Sequence, residues 1–238
     1  MRRVLTMALI GAWGCDGGDP GDPDEQVGYR DGVEEGETNS GERGNVKISE
    51  VMWSGSVTND GKWDVTDIFI ELRNEGSRPM NVSGWRIELS GTADTEWQIP
   101  KSDVEIGVGE HRFMAAKDSG CFPNPDWVIS DLAIPYGDPF KLTVLDRDER
   151  LMEPAGDREQ PPFAGGYDLA KSRSMEKIEL MFGGRGSSPA SWHYYTPSEV
   201  DVPNNDKVSP DCQLRTLASP GRPNSSDYSG AYASGSLE

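Results

Sequence analysis

The feature that most constrains this chain is a period of two in its apolar residues. Ile68, Ile70 and Leu72 fall on one side of an extended run, with Phe69, Glu71 and Arg73 on the other. Trp85, Ile87 and Leu89 alternate with Arg86 and Glu88. Phe140, Leu142 and Val144 share parity, as do Ile178, Leu180 and Phe182, while the run from Val46 to Trp53 alternates imperfectly. Successive side chains of a strand point to opposite faces, so short alternating runs predict half-buried strands. Gly, Pro, Asn and Asp separate the runs, as turns between antiparallel strands require. No window carries ten residues of helical spacing. The expectation is an all-β sandwich or barrel. The chain has 28 Gly and 17 Pro, which fits a loop-rich fold, and seven Trp, seven Tyr and six Phe to fill its core.

The two ends lack this pattern. Residues 1–14 read as a signal peptide: Arg2 and Arg3 are followed by the apolar stretch from Val4 to Trp13, which is too short to span a bilayer. Ala12-Trp13-Gly14-Cys15 resembles the lipobox of bacterial lipoproteins. That resemblance implies lipidation of Cys15 and attachment to a membrane through its acyl chains. Residues 15–45 read as an acidic, Gly/Pro-rich tether. From Asp16 to Asn45 there are ten acidic and two basic residues, too little apolar surface to offset chain entropy, and a reach on the order of 30 Å. Residues 225–238 read as a Ser/Gly/Ala tail. The folded body is expected over 46–224.

Cys121 and Cys212 remain once Cys15 is assigned to the anchor. In an exported chain the pair predicts a disulfide, closing a loop of about 91 residues worth roughly 4 kcal/mol of chain entropy. Two thiolates without neighbouring histidines do not suggest a metal centre. The net charge is −18, and the chain from residue 46 onward keeps 31 acidic residues against 19 basic ones. Such a chain lacks the basic footprint with which proteins neutralise phosphates, so nucleic acid is not the expected partner.

With the strands placed, several motifs resemble the lamin-tail domain family. They are Ile48-Ser49-Glu50-Val51, Asp67-Ile68-Phe69-Ile70-Glu71-Leu72-Arg73-Asn74 and Ser83-Gly84-Trp85-Arg86-Ile87. Gly109-Glu110 leading to Phe113-Met114, Ser174-Met175-Glu176-Lys177, Trp192 and Pro220-Gly221-Arg222-Pro223-Asn224 complete the series. The resemblance covers 46–224 and implies an immunoglobulin-like β-sandwich of the type found in exported bacterial proteins, acting as an accessory or interaction module. The stretches 153–171 and 198–211 depart from the pattern and are expected to be surface loops.

Within this frame Trp85 is expected in the core. Glu50 shares parity with Ile48 and Met52 and is expected on their face, partly buried, whereas Glu71 is expected to be solvated. No Gly-x-Ser-x-Gly elbow, His-Glu-x-x-His or phosphate loop is present, and Gly183 to Ser187 reads as a hairpin turn. His111 and His193 have no carboxylate or nucleophile at an interpretable sequence spacing. No catalytic residue, cofactor or metal ligand is assigned. Asp60, Asp64 and Asp67, with Glu71 beyond them, match an EF-hand loop in acid count only: Lys62 and Val65 occupy a ligand and the glycine position.

The expected function is a non-catalytic, lipid-anchored β-sandwich of the bacterial cell envelope, binding or bracing an envelope protein or polysaccharide. Loops bearing Trp53, Trp63 and Trp127 are its expected contact surface. The alternatives are a nucleic-acid-binding accessory domain and a divergent envelope hydrolase using paired carboxylates.

Overall fold

The computed structural model describes residues 44–178, 185–196 and 205–225. The signal segment, Cys15, the tether to residue 43, Leu180, Phe182, Gly183 and Gly184 of the expected turn, residues 198–204 of the expected loop and residues 226–238 lie outside the described residues.

Ten strands build two sheets. They are β1 Val46–Met52, β2 Phe69–Asn74, β3 Arg86–Gly91, β4 Thr95–Gln98, β5 His111–Ala115, β6 Trp127–Val128, β7 Phe140–Leu145, β8 Leu151–Asp157, β9 Met175–Lys177 and β10 Trp192–Tyr194. Sheet one runs β6-β5-β2-β1-β9-β10; only its β6–β5 pair is parallel. Sheet two runs β8-β7-β3-β4 and is antiparallel throughout. Among the described residues the one helical element is the short 3-10 turn Pro189–Ser191. The protein is an all-β sandwich, as the period of two predicts.

The main core lies between the sheets. In sheet two, Ile87 pairs with Val144 and Leu89 with Leu142, so these side chains stand side by side facing inward. Ile48, Ile70, Leu72, Met114, Met175 and Trp192 face them from sheet one. Each large side chain removed from water here contributes roughly 1.5–3 kcal/mol. Trp85 is fully buried at the mouth of β3, where Gly84 makes the preceding turn with φ of 76°.

Sheet one is also buried on its outer face. Met52, Phe69, Phe113 and Ala115 form a second apolar cluster there with Cys121, Phe122, Val208, Cys212 and Ala218. Phe69 meets Phe113 and Phe122 edge to face, at centroid distances of 5.6 and 4.8 Å. This double burial explains the imperfect alternation of β1. Its register with β2 shifts between Ile48 and Glu50, a bulge that keeps Ile48 and Val51 on the inner face while Met52 joins the outer cluster. Glu50 therefore does not share a face with Ile48, contrary to the sequence parity.

The stretch 153–171 corrects another expectation. Residues 151–157 are not a surface loop but an edge strand, pairing with β7 from Phe140↔Asp157 to Leu145↔Leu151. Gly166–Tyr167 then pairs with Ser172–Arg173, which in turn takes Thr216–Leu217 as a parallel neighbour.

Candidate functional site

Three glutamates meet on the outer face of sheet one. Glu50 of β1 stands opposite Glu71 of β2 on one side and Glu176 of β9 on the other, and all three are fully buried. Water does not reach them because residues 219–225, Ser-Pro-Gly-Arg-Pro-Asn-Ser, lie across them. The Ser219 N–H donates to Glu50 Oε1 at 2.9 Å, and Ser219 Oγ lies 3.1 Å from Glu50 Oε2 and within bonding distance of Glu176 Oε1. Gly221 N–H donates to Glu71 Oε2 at 2.6 Å, from a residue whose φ of 74° favours glycine. Ser225 gives its N–H and its hydroxyl to Glu176. Asn224 Nδ2 donates to the Ser49 and Lys177 carbonyls at 2.9 and 2.7 Å.

Both histidines belong to this cluster. His111 Nδ1 is 2.8 Å from Glu71 Oε1, which also accepts the Ser49 hydroxyl at 2.7 Å. His193 Nε2 is 3.7 Å from Glu176 Oε2, and its Nδ1 lies 3.0 Å from the Tyr194 carbonyl. Sequence spacing conceals these pairs because register, not proximity along the chain, brings them together: Arg73 pairs with His111 and Glu176 with His193. Glu71, expected in solvent, is buried for the same long-range reason. A signal was nonetheless present. Ser49-Glu50, Glu71, Glu176 and Gly221 to Asn224 sit in four separately quoted motifs, and those four motifs converge here.

Burial sets the electrostatics. It is the main cause holding the Glu50 carboxyl well above the usual carboxylate range, and the charges of Glu176 and Glu71 push the same way. Burial likewise pushes Glu176 up to about 7, against the opposing hydrogen bonds from Ser219 and Ser225. His193 is pushed down by burial, so its neutral form is favoured. A buried carboxylate cluster bonded in this way fastens the segment above it.

The disulfide is the second fastening. Cys121 and Cys212 are bonded, with Cα atoms 5.6 Å apart, and both are buried in the outer cluster. The Ser209 N–H donates to the Cys121 carbonyl at 2.9 Å, so backbone and disulfide together hold the stretch 209–212 that precedes the covering segment.

The acidic loop distributes its carboxylates among separate donors. Asp64 accepts from Lys117 Nζ at 2.6 Å and from the Thr66 N–H and hydroxyl; these outweigh burial and hold it below its usual range. Asp67 is buried, which raises its carboxyl, and it takes the Ser56 hydroxyl at 2.6 Å and the Cys121 N–H at 2.7 Å. Asp60 bonds the Thr58 hydroxyl, and Glu71 belongs to the cluster above.

Of the three tryptophans expected on contact loops, only Trp63 is on the surface. Trp53 is 5% exposed, its indole N–H bonded to the Ala164 carbonyl, and Trp127 is 3% exposed, bonded to Ser102 Oγ. Trp63 is 38% exposed and Tyr136 43%. Tyr167 stacks on Trp63 at 4.6 Å, Tyr136 meets Trp63 edge-on at 5.2 Å, and Trp53 backs Tyr136 at 5.7 Å. Trp63 comes from the hairpin Ser56–Val57/Trp63–Asp64 and Tyr167 from the small three-stranded sheet. Thr216 Oγ1 links the two carriers by bonding the N–H and carbonyl of Val57, each at 2.8 Å.

The fold and site define an all-β sandwich closed by its own carboxylate-bound segment and bearing one aromatic surface. Compared with known proteins, the chain matches no family model and no curated sequence.

Proposed function

We propose that this chain is a non-catalytic, lipid-anchored β-sandwich of the bacterial cell envelope, of the lamin-tail kind, which binds or braces an envelope component. The observation that carries the reading is the surface group of Trp63, Tyr136 and Tyr167, in which Trp63 is carried by the hairpin and Tyr167 by the small sheet. Aromatic side chains offer large contact area at small entropic cost, and the amphipathic ones suit wet interfaces. The strongest acid–base cluster has another use. Glu50, Glu71, Glu176, His111 and His193 are all at most 5% exposed, and the three glutamates hold residues 219–225. The lipobox-like sequence at Cys15 and the acidic stretch after it supply the anchor and spacer of this reading.

Crosslinking in intact cells, followed by purification from the membrane fraction and mass spectrometry, tests it. The expected result is an acylated Cys15 and one recurrent attached component. A chain that is soluble, unacylated and without an attached component overturns it.

A further inference from the structure

The covering segment is held mainly by acids. Ser219, Gly221 and Ser225 direct backbone N–H groups at Glu50, Glu71 and Glu176, and the hydroxyls of Ser219 and Ser225 reach the same carboxylates. Asn224 adds its bonds to the Ser49 and Lys177 carbonyls, and Asn205 Nδ2 reaches the Pro220 carbonyl at 3.2 Å. Among the described residues the two apolar clusters include Ala218 but none of 219–225. Upstream, the chain is fixed by other means. Cys212 is bonded to Cys121, Thr216–Leu217 pairs with Ser172–Arg173, and the Ser174 N–H donates to the Leu217 carbonyl at 3.1 Å. Release of the segment therefore begins after Leu217 and leaves both sheets and the core between them in place.

Charge decides whether the segment stays. Glu50 has Glu71 opposite it on β2 and Glu176 opposite it on β9, and directly opposed residues lie about 5 Å apart at Cβ. Buried like charges at such a distance repel, so Glu50 and Glu176 keep a proton between them while they are sealed. The imidazoles of His111 and His193 stand beside Glu71 and Glu176. Cations on the same elements answer other acids: Lys47 and Arg73 face Glu75, and Lys177 pairs with Glu153. Arg222 of the segment lies 3.8 Å from Asp206, and Lys207, whose side chain runs beside Gly221, donates to the Asn124 carbonyl at 2.7 Å. Once the shared proton leaves, hydration relieves the two carboxylates, and hydration requires the segment to lift.

We propose that residues 219–225 are a proton-operated latch, closed on the sheet while Glu50 and Glu176 hold a proton between them and lifted off, with the sandwich intact, when rising pH removes it. The latch belongs to the fold and does not depend on what the aromatic surface binds.

The test is hydrogen exchange of the purified full chain at pH 6 and pH 8.5, followed amide by amide by NMR and corrected for intrinsic rates. Protection of the Ser219, Gly221 and Ser225 amides should fall over this interval by at least about threefold, while that of β3 and β7, the inner strands of sheet two, stays within about twofold. Glu176, at about 7 when covered against an ordinary 4.5, gives about tenfold by itself. Charging of His193 at pH 6 offsets up to about fourfold of this, and Glu50 adds in the same direction as Glu176. Glu176→Gln and Glu50→Gln, made in parallel so that failure of one to fold leaves the other, should each shrink the fall. Protection at the three amides that does not fall, or that falls together with β3 and β7, overturns the latch. A fall of undiminished size in the glutamine variants overturns it as well.

Discussion

A single hydroxyl, that of Ser219, lies within hydrogen-bonding distance of two carboxylates, Glu50 and Glu176, on adjacent strands of the same sheet. A hydroxyl carries one proton. It can donate to one carboxylate only, so the other must bring a proton of its own to complete the pair. The geometry thus calls for a shared proton, in agreement with burial raising both groups.

The first prediction concerns pH. The folded-state pKa of Glu176 lies above its ordinary value of 4.5, at about 7. The folded protein therefore binds more protons than the unfolded chain between these values. Its contribution to stability is complete below about 4.5 and is lost as pH rises to 7, by up to about 3 kcal/mol. His193, held neutral, acts with the opposite sign as pH falls below 6.5, and Glu50, also raised, acts with the same sign as Glu176, so the wild-type curve alone mixes all three. Glu176→Gln should gain stability relative to wild type between pH 5 and pH 8, and urea unfolding at both pH values measures this. An equal difference at the two pH values would contradict a raised Glu176.

Ser219→Ala removes the hydroxyl between Glu50 and Glu176 and leaves buried oxygens without it. The expected cost is about 1–3 kcal/mol, read from denaturant midpoints. A cost close to zero would mean that the backbone N–H of Ser219 alone holds the segment.

Reduction of the Cys121–Cys212 disulfide should lower stability by about 2–5 kcal/mol. Hydrogen exchange should speed first at the amides of Ser209 and Cys212, which bond the Cys121 and Ser209 carbonyls beside the bridge. Uniform acceleration over both sheets would show that the bridge staples the whole sandwich.

Two tryptophans should part company. Trp85→Ala empties a fully buried site and should cost about 3–5 kcal/mol, whereas Trp63→Ala, at a surface position, should cost about 1 kcal/mol or less. Melting temperatures of the two variants decide it.

Calcium should leave the melting temperature unchanged, because Asp60, Asp64 and Asp67 turn to Thr58, Lys117 and Ser56 and not toward one centre. A rise that saturates with added calcium would contradict that arrangement.

How much of this the sequence displayed depended on the range of the interaction. β3 was legible because one of its faces meets the core between the sheets and the other is turned outward, so Trp85, Ile87 and Leu89 alternate cleanly with Arg86 and Glu88. β2 was misleading. Phe69 and Glu71 occupy the parity that normally faces solvent, but chain from about 150 residues later covers them, as the contact between Gly221 and Glu71 records. The disulfide was readable from cysteine number together with the expectation of export, and the structure joins the same pair. The histidines were not, since strand register lies beyond any local spacing. Trp53 and Trp127 looked like loop aromatics because their neighbours are turn-forming; their indole N–H bonds to Ala164 and Ser102 hold them inside instead.

The segment 219–225 has a consequence for the order of assembly. A chain that emerges from the ribosome N-terminus first can pair β1 with β2 long before its lid exists. Until residues 219–225 have appeared, the three carboxylates lack the groups that cover and bond them, although every strand of the two sheets has been made. The piece that covers the carboxylates is made after every strand beneath it, so a nascent chain stopped short of it would carry both sheets and the core between them with three glutamates still hydrated.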